Sequence, residues 1–509
     1  MTKQFLTIFT LLVFNFSFAQ EHQERVEVVS SKEYYSFDVQ TIADKKLLVS
    51  YIDRLPGDLF TYTFEIRDEK LGVVKKETLK IPVNFRYKAS DLHFNFDNKH
   101  ASGVLLIHKR GGNDFVVYNI NCDGLKITKR QGVFEKKINI YQTETLGEHV
   151  YLQAKYKGKL EVASINIQSG GVKHFPFAVK GKYYIEDLQL VGKGDKQELW
   201  AEFYQYAYKN HKLYTFKRFD INGKALKSFT LAASTEKYRL NISNSKTKNG
   251  SYFSCGTYNL KKPKGTSQGI YVTRYSNDGK VKYDNFINYM DLDNYTNYLP
   301  EKTENKLEKK HDKKKARGKE LKIKQLMLAH EIIEKGDEYI FLGEGYYATY
   351  RTEHYTDWVT DANGNSRAVT RTRQVFDGYQ YTHGLVVAFD EAGKKTWDQT
   401  FGMTLGYKPM HARKFFNATT EGKQLKIMYG TSSLLSSISI YRGDIVNQNV
   451  FSATYTENEN DKVKHSYGDV GFWYGKNFVS YGYQKIKNKK DKNVAKKRFI
   501  YFINKIEFL

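Results

Sequence analysis

The segment "LVVAFDEAGKKTWDQTFG" (Leu385–Gly402) decides the fold. Two runs rich in apolar and β-branched residues flank Asp390, Gly393 and a lysine pair. That is the pattern of two strands joined by a tight turn, which Asp390 and Gly393 shape. The same pattern recurs in "VYNINCDGLKITKRQGVF" (Val117–Phe134), "FKRFDINGKALKSFTL" (Phe216–Leu231) and "VTRYSNDGKVKYDNFI" (Val272–Ile287). Weaker copies are "TFEIRDEKLGVVKKETLKI" (Thr63–Ile81) and "ASINIQSGGVKHFPF" (Ala163–Phe177). A degenerate copy stands at "SISIYRGDIVNQNVF" (Ser437–Phe451), and "KRFIYFINKIEFL" (Lys497–Leu509) begins like another.

The turn glycines of these copies are Gly72, Gly124, Gly171, Gly223, Gly279 and Gly393. They recur at a period of roughly 50 residues, doubled before the last, so one unit is enlarged. Ahead of the hairpins lie further strand-like segments such as "ELWAEFYQYA" (Glu198–Ala207), "GSYFSCGTYNL" (Gly250–Leu260) and "QLKIMYGTSS" (Gln424–Ser433). Four strands per period is the dimension of a β-propeller blade. The expected fold is all-β: a single propeller over residues 20–509, with units near 34–82, 90–135, 138–178, 183–231, 238–290, 325–402, 411–455 and 466–509. Eight blades is the count preferred. Seven is the rival, because a terminal unit could be incomplete or pair with the other terminus. A pair of β-sandwiches would not explain the regular hairpin spacing, and period-two alternation excludes a helical solenoid.

Composition agrees with a large β core: aromatic residues are 15% and hydrophobic residues 40%, with 40 Tyr, 33 Phe and only 6 Pro. Such a chain is not disordered, and its aromatic excess favours strands. The opening "MTKQFLTIFTLLVFNFSFAQ" has Lys3, an apolar run from Phe5 to Phe18, and small residues Ser17 and Ala19. This predicts a signal peptide over residues 1–19 and an exported, periplasmic protein, peripheral to the outer membrane if membrane-associated at all. No later stretch is apolar enough to span a bilayer as a helix. The formal charge of +25 suits an anionic surface such as a glycan or lipid headgroups, or reflects a lysine-rich proteome. Nucleic acid is not expected for an exported chain. Two cysteines, Cys122 and Cys255, are too few for a disulfide scaffold.

Two insertions stand out from the repeat. Pro300–Lys324, "PEKTENKLEKKHDKKKARGKELKIK", is rich in helix formers and lysine, with Leu307 the one large apolar residue between Glu301 and Ala316. It predicts a solvated arm or an electrostatic arm for an anionic partner, and not a docked core helix. The second, residues 343–384, reads as a long hairpin tipped by "DANGN". Its arms carry Tyr346, Tyr347, Tyr350, Tyr355, Trp358, Phe376, Tyr379 and Tyr381, interleaved with Arg351, Arg371 and Arg373. Aromatic planes beside arginines suit a protein partner or sugar rings. Alternate aromatics can equally pack across a twisted hairpin. These eleven residues are the candidate binding site.

Chemistry is otherwise sparse. "DANGN" places Asp361, Asn363 and Asn365 at the spacing of a calcium loop, but Ser366 and Thr372 stand where Gly and Glu are needed. HExxH, GxSxG, a phosphate-binding loop and GxGxxG are absent. No catalytic residue, metal or cofactor is expected. Asp390, Gly393 and Trp397 resemble, with a shortened turn, the Asp, Gly, Trp order that ends the blades of quinone-dependent dehydrogenase propellers. That resemblance implies a structural lock between blades, not a quinone site. The "FSFAQ" signal end, "YYATYRTEHY" (Tyr346–Tyr355), "VFDGYQYTHG" (Val375–Gly384) and "FDEAGKKTWDQTF" (Phe389–Phe401) resemble uncharacterised exported proteins of Bacteroidota. This implies compartment and lineage and brings no activity.

The readings converge on a non-catalytic periplasmic propeller acting as a binding or scaffold module for a cell-envelope or outer-membrane protein complex. A carbohydrate-active propeller, glycosidase or lyase, is the alternative. A module that only binds an acidic glycan or lipid is a third reading.

Overall fold

The repeated turn closes on the same hydrogen bonds at Asp220 and Asp390. Asp220 O accepts from Gly223 N (3.0 Å), and Asp220 Oδ1 accepts from Lys224 N (2.9 Å). At Asp390 the equivalent bonds come from Gly393 N (2.9 Å) and Lys394 N (2.8 Å). Gly223, Gly279 and Gly393 take φ of +78°, +83° and +87°, the region where a Cβ is costly. In two weaker copies the left-handed residue is one earlier than the sequence pattern marks it. Leu71 (φ +60°) and Gly170 (φ +74°) turn the chain there, not Gly72 and Gly171.

The computed structural model describes residues 22–30, 36–42, 45–55, 59–82, 87–96, 101–109, 113–121, 126–176, 181–207, 211–231, 237–260, 265–360, 362–431, 434–452 and 456–508. The segment read as a signal peptide, Cys122 and Gly124, and Asp361 of "DANGN" lie outside these residues. Among them the strands form eight antiparallel sheets, six of four strands and two of five. The fold is an all-β propeller of four-stranded blades. The sheets run Ser36–Ile42 to Val73–Pro82, Tyr87–Phe96 to Lys126–Val133, Ile138–Leu146 to Val172–Pro176, Tyr184–Val191 to Phe229–Leu231, Tyr238–Arg239 to Val281–Asn288, Leu326–Ala329 to Lys395–Gly402, and Asn417–Glu421 to Asp444–Ser452. The eighth takes Lys462–Tyr474, Asn477–Lys487 and Lys497–Glu507, and its fourth strand is His22–Ser30. Arg25 fastens that strand, donating to Asn504 Oδ1 (2.9 Å) and Gln484 Oε1 (2.8 Å).

The chain divides into two compact units. One comprises residues 1–38, 416–441 and 445–509, the other residues 39–415 and 442–444. Within the larger unit, neighbouring sheets bury aliphatic and aromatic layers. Trp200, Tyr214, Phe216 and Phe229 of one sheet pack with Tyr252 and Tyr275 of the next. Phe253, Ile270 and Val272 pack in turn with Tyr339, Phe341 and Val387. In the smaller unit, Met428 and Leu435 pack with Phe478, Ile506 and Phe508. Cys255 is a buried free thiol whose pKa burial pushes up.

The turn glycines meet the neighbouring sheet. A Cβ on Gly279 would lie 2.5 Å from the Phe229 ring, and one on Gly393 would lie 2.8 Å from the Tyr283 ring. Gly443 repeats the contact against Trp397, at 3.3 Å from its Cβ, and Gln399 Nε2 donates to Gly443 O (2.6 Å). Trp397 is 8% exposed and its Nε1 donates to Glu338 Oε1 (3.1 Å). Asp398 beside it accepts from Asp293 N (2.8 Å) and Asn294 N (3.2 Å) and pairs with Lys395 (3.2 Å). The opening segment is a structural joint.

The lysine-rich insertion departs from expectation. It forms helix Glu301–Lys315, with Glu301 and Glu304 in the first turn and Lys313, Lys314 and Lys315 in the last, as the helix dipole favours. It is docked, not a free arm. Leu307, Leu321 and Ile323 pack against the core cluster around Tyr289 and Tyr295. Thr296 Oγ1 donates to Glu304 (2.8 Å), Lys315 pairs with Asp291 (3.0 Å), and Ile323 N donates to Gln268 Oε1 (2.9 Å). An apolar stripe was not required, because one leucine and several polar ties suffice for a helix already tethered at both ends. Among the described residues no helix is long and apolar enough to cross a membrane.

Gly393→Ala tests the joint. It forces alanine into the left-handed region and its Cβ into the Tyr283 ring, for a cost of about 2–4 kcal/mol. Gly364→Ala at the insertion's tip has the same kind of φ (+82°) with no atom within 4 Å of its Cβ. It should cost only about 1 kcal/mol. Thermal or denaturant unfolding of the two variants checks the difference.

Candidate functional site

The aromatic insertion is built from two long strands, Glu338–Thr360 and Ser366–Phe389, paired over their whole length. Their inner halves belong to the sixth sheet. Leu326–Ala329 pairs with the outgoing strand at residues 343–346, and Lys395–Gly402 pairs with the returning strand at His383–Phe389. Beyond those points the two strands pair with each other alone among the described strands, out to Thr360↔Ser366. Bulges near Tyr346 and between Ala348 and Tyr350 mark the change.

The eleven candidate residues divide at that boundary. Tyr346, Phe376, Tyr379 and Tyr381 are packed against one another, with ring centroids at 5.0 Å for Phe376–Tyr379, 5.3 Å for Tyr346–Tyr379 and 5.5 Å for Tyr346–Tyr381. Tyr381 is 1% exposed, and its hydroxyl accepts from Arg413 N (2.9 Å) and donates to Arg413 O (2.5 Å). Tyr379 N donates to Pro409 O (2.8 Å). These four rings are the hairpin's root. Tyr347, Tyr350, Tyr355 and Trp358 stand 50%, 61%, 41% and 69% exposed. They are the surface.

Register separates the outer part into two faces. Arg351, Glu353, Tyr355 and Asp357 lie opposite Val375, Arg373, Arg371 and Val369. There Arg373 pairs with Glu353 (3.0 Å) and lies over the Tyr355 ring (5.6 Å), Arg371 pairs with Asp357 (3.1 Å), and Arg351 pairs with Glu353 (2.8 Å). The Arg351 and Arg373 hydrogen bonds hold the Glu353 carboxyl below its ordinary range. The other face carries Tyr350, Thr352, His354, Thr356 and Trp358 opposite Phe376, Gln374, Thr372, Thr370 and Ala368. It carries no Asp, Glu, Lys or Arg. The candidate residues thus do not converge on one pocket: four are packed, and the remaining seven are spread over both faces.

A second cluster escaped the sequence reading. Glu144, Glu186, Asp187 and Glu202 sit on adjacent strands Ile138–Leu146, Tyr184–Val191 and Glu198–Tyr206 of the larger unit. Burial, then Glu331 and Asp187, pushes the Glu144 carboxyl up to about 7, against the hydrogen bond from Thr145 N. Glu202 is fully buried and raised well above its usual range by burial and by Asp187 and Glu186. Its Oε1 is bonded to Asn244 Nδ2, and its Oε2 has no hydrogen-bond partner among the described residues. Lys212 pairs with Glu186 (2.8 Å), whose carboxyl burial nonetheless raises. The signal was available as acids within otherwise apolar strands, in "TETL" and "YIEDLQLV". Among the described residues no group of His, Cys, Asp or Glu is arranged to hold a metal ion.

No family model matches the chain, and no curated relative does. Solved structures match at the level of fold. The chain is similar to the Dos1 propeller, with 8% identity over 96% of this chain and 95% of that one and a TM-score of 0.42. It is similar to the polysaccharide lyase Uly1, with 9% identity over 83% and 90% and a TM-score of 0.41. The β-propeller domain of the Trilobed protease from Pyrococcus furiosus matches with 9% identity over 84% and 98% and a TM-score of 0.36. These likenesses concern the propeller architecture and assign no activity. The class defined by fold and site is a β-propeller with a projecting two-stranded hairpin.

Two measurements separate root from surface. Tyr381→Phe removes a buried hydroxyl with two backbone partners and should lower unfolding free energy by about 1–2 kcal/mol. Trp358→Ala should change stability by less than about 0.5 kcal/mol. The carboxyl cluster predicts a pH effect with a definite sign. Glu144 has a folded pKa above its unfolded value, so the folded state holds its proton longer. Stability from this group is present below pH 4.5 and is lost as pH rises toward 7. Glu144→Gln should therefore flatten stability across that window and exceed wild type by about 2 kcal/mol at pH 8, read by denaturant unfolding at several pH values.

Proposed function

We propose that this chain is an exported, non-catalytic propeller that serves as a binding or scaffold module in the cell envelope, with the projecting hairpin as its docking element for a protein partner. One observation carries the reading. Tyr350, Tyr355 and Trp358 are 41–69% exposed on a projection whose root is locked by four packed rings. Large exposed aromatics beside arginines are the residues that anchor protein interfaces. A rigid root lowers the ordering cost of binding. Export rests on the apolar run Phe5–Phe18 and the small residues Ser17 and Ala19.

The alternative of a carbohydrate-active propeller draws on Glu144, whose pKa near 7 suits a general acid. Glycoside chemistry needs two carboxyls driven apart, one protonated and one ionised. Here Asp187 is raised by burial as well, so the two are pushed the same way. The geometry favours the binding module.

The test is affinity purification of the tagged full chain from its native envelope beside a Tyr350→Ser, Tyr355→Ser, Trp358→Ser variant. The wild type should bring down a partner in near-stoichiometric amount, and the variant should retain less than about a tenth of it. A wild-type chain that always emerges alone, or a variant that keeps its partner, overturns the proposal.

A further inference from the structure

The projecting hairpin has edges as well as faces. From Tyr350↔Phe376 to Thr360↔Ser366 the ladder has two strands, so each strand has one edge that pairs with no other described strand. The returning edge, Ser366–Phe376, is 11 residues long, about 35 Å at the rise of a strand. In an antiparallel pair alternate residues turn their N–H and C=O outward, so such an edge is a template for another strand.

The two edges differ in charge. Ser366–Phe376 carries Arg367, Arg371 and Arg373 and no acid, whereas Tyr350–Thr360 carries Arg351, Glu353 and Asp357. All three arginines of the returning strand fall on one face of the ladder, opposite Val359, Tyr355 and Glu353. Arg371 and Arg373 are 50% and 64% exposed even with their carboxylate partners, so each keeps donors for a second acid. Arg367 has no ion pair with a described residue. On the other face the same strand offers the small Ala368, Thr370 and Thr372, and the exposed Trp358 stands across from Ala368. Two copies of this edge would set arginine against arginine, which disfavours self-pairing.

We infer that the outer edge of Ser366–Phe376 accepts an extended segment of a partner protein by strand addition, a segment with acidic residues at alternate positions and apolar or β-branched residues between them. The acids meet the arginine face, and the intervening side chains lie over the small residues beside Trp358. Backbone hydrogen bonds supply affinity and the alternation supplies selectivity, as in other strand-addition complexes. This inference rests on the hairpin's being the docking element and adds its mode and the chemistry of its partner.

The probe is a fluorescent ten-residue peptide alternating Glu with Val or Thr, titrated into the full-length chain. Two further versions carry N-methyl groups on one or the other set of alternate backbone amides. The unmodified peptide should bind, and one methylated version should lose at least about tenfold in affinity while the other does not, because only one set of amides faces the edge. Arg367→Glu, Arg371→Glu should weaken binding by at least about tenfold with an unchanged thermal midpoint. Absence of binding, equal binding of all three peptides, or indifference to charge reversal overturns strand addition. Concentration-dependent self-association abolished by the same reversal overturns it in favour of a second copy of this chain. If strand addition fails while the Tyr350, Tyr355, Trp358 variant still releases the native partner, docking through the faces stands alone. If that variant also keeps its partner, the hairpin is not the docking element.

Discussion

The contact on which the larger unit depends is a glycine seated on a ring. The described strong copies of the repeat turn on the left-handed glycines Gly223, Gly279 and Gly393, and Gly279 and Gly393 lie where any side chain would enter Phe229 or Tyr283 of the preceding sheet. Two demands meet at one atom. The turn needs positive φ, and the neighbouring sheet needs the space a Cβ would fill. Satisfying both lets the aromatic ring cover the turn, and this sets the spacing between successive sheets. Trp397 receives Gly443 in the same way, which explains a tryptophan that sits in the opening segment without doing chemistry.

Buried charge repeats alongside the turns. Glu198 accepts from Arg218 (2.8 Å), Trp200 Nε1 (3.0 Å), Lys246 (2.6 Å) and the Tyr252 hydroxyl (3.1 Å). Glu65 is surrounded likewise by Arg67, Lys76 (3.0 Å) and the Tyr51 hydroxyl (3.0 Å). Burial opposes ionisation of both acids, yet their cationic partners hold both pKa values below the ordinary range. Full saturation is what makes such a pair tolerable inside a fold. Glu202 is the contrast. With an amide for a partner and acids for neighbours, burial prevails and its carboxyl is raised. The same residue type therefore serves as a structural anion in one place and as a proton store in another, according to what surrounds it.

The propeller was legible because its signals are local. Asp-x-x-Gly turns and period-two alternation depend on neighbours a few residues apart, and "DINGK" or "DEAGK" carries both. The docking of Glu301–Lys315 was not legible, because its partners Asp291 and Thr296 are chosen by tertiary approach and one leucine leaves no periodic trace. Pairing between the termini was weighed only for a seven-bladed count, and the strand His22–Ser30 fell outside every unit read from the sequence, for a similar reason. Its partner, Lys497–Glu507, stands at the far end of the chain. The aromatic hairpin was legible as an element but not as a division of labour. Tyr346 and Tyr347 are adjacent and similar in sequence, yet one joins the packed root and the other is half exposed, since only register and the bulges decide which way each ring turns.

That division bears on what the hairpin can do. A two-stranded ribbon alone in water is at best marginally stable. This one continues strands of the sixth sheet, and Tyr381, Tyr379 and Asp377 tie its root to Arg413, Pro409 and Lys408. The outer ladder thereby inherits order it could not supply itself, and cross-strand pairs such as Glu353 with Arg373 add to it. The ribbon can thus keep aromatic and arginine side chains exposed without collapsing onto the sheet. A projection held in this way meets a partner with little further loss of freedom, so binding energy from a few aromatic and arginine contacts is retained as affinity. The interior acids, enclosed in strands of other sheets, act on stability instead. The fold separates the part that answers to pH from the part that presents a surface.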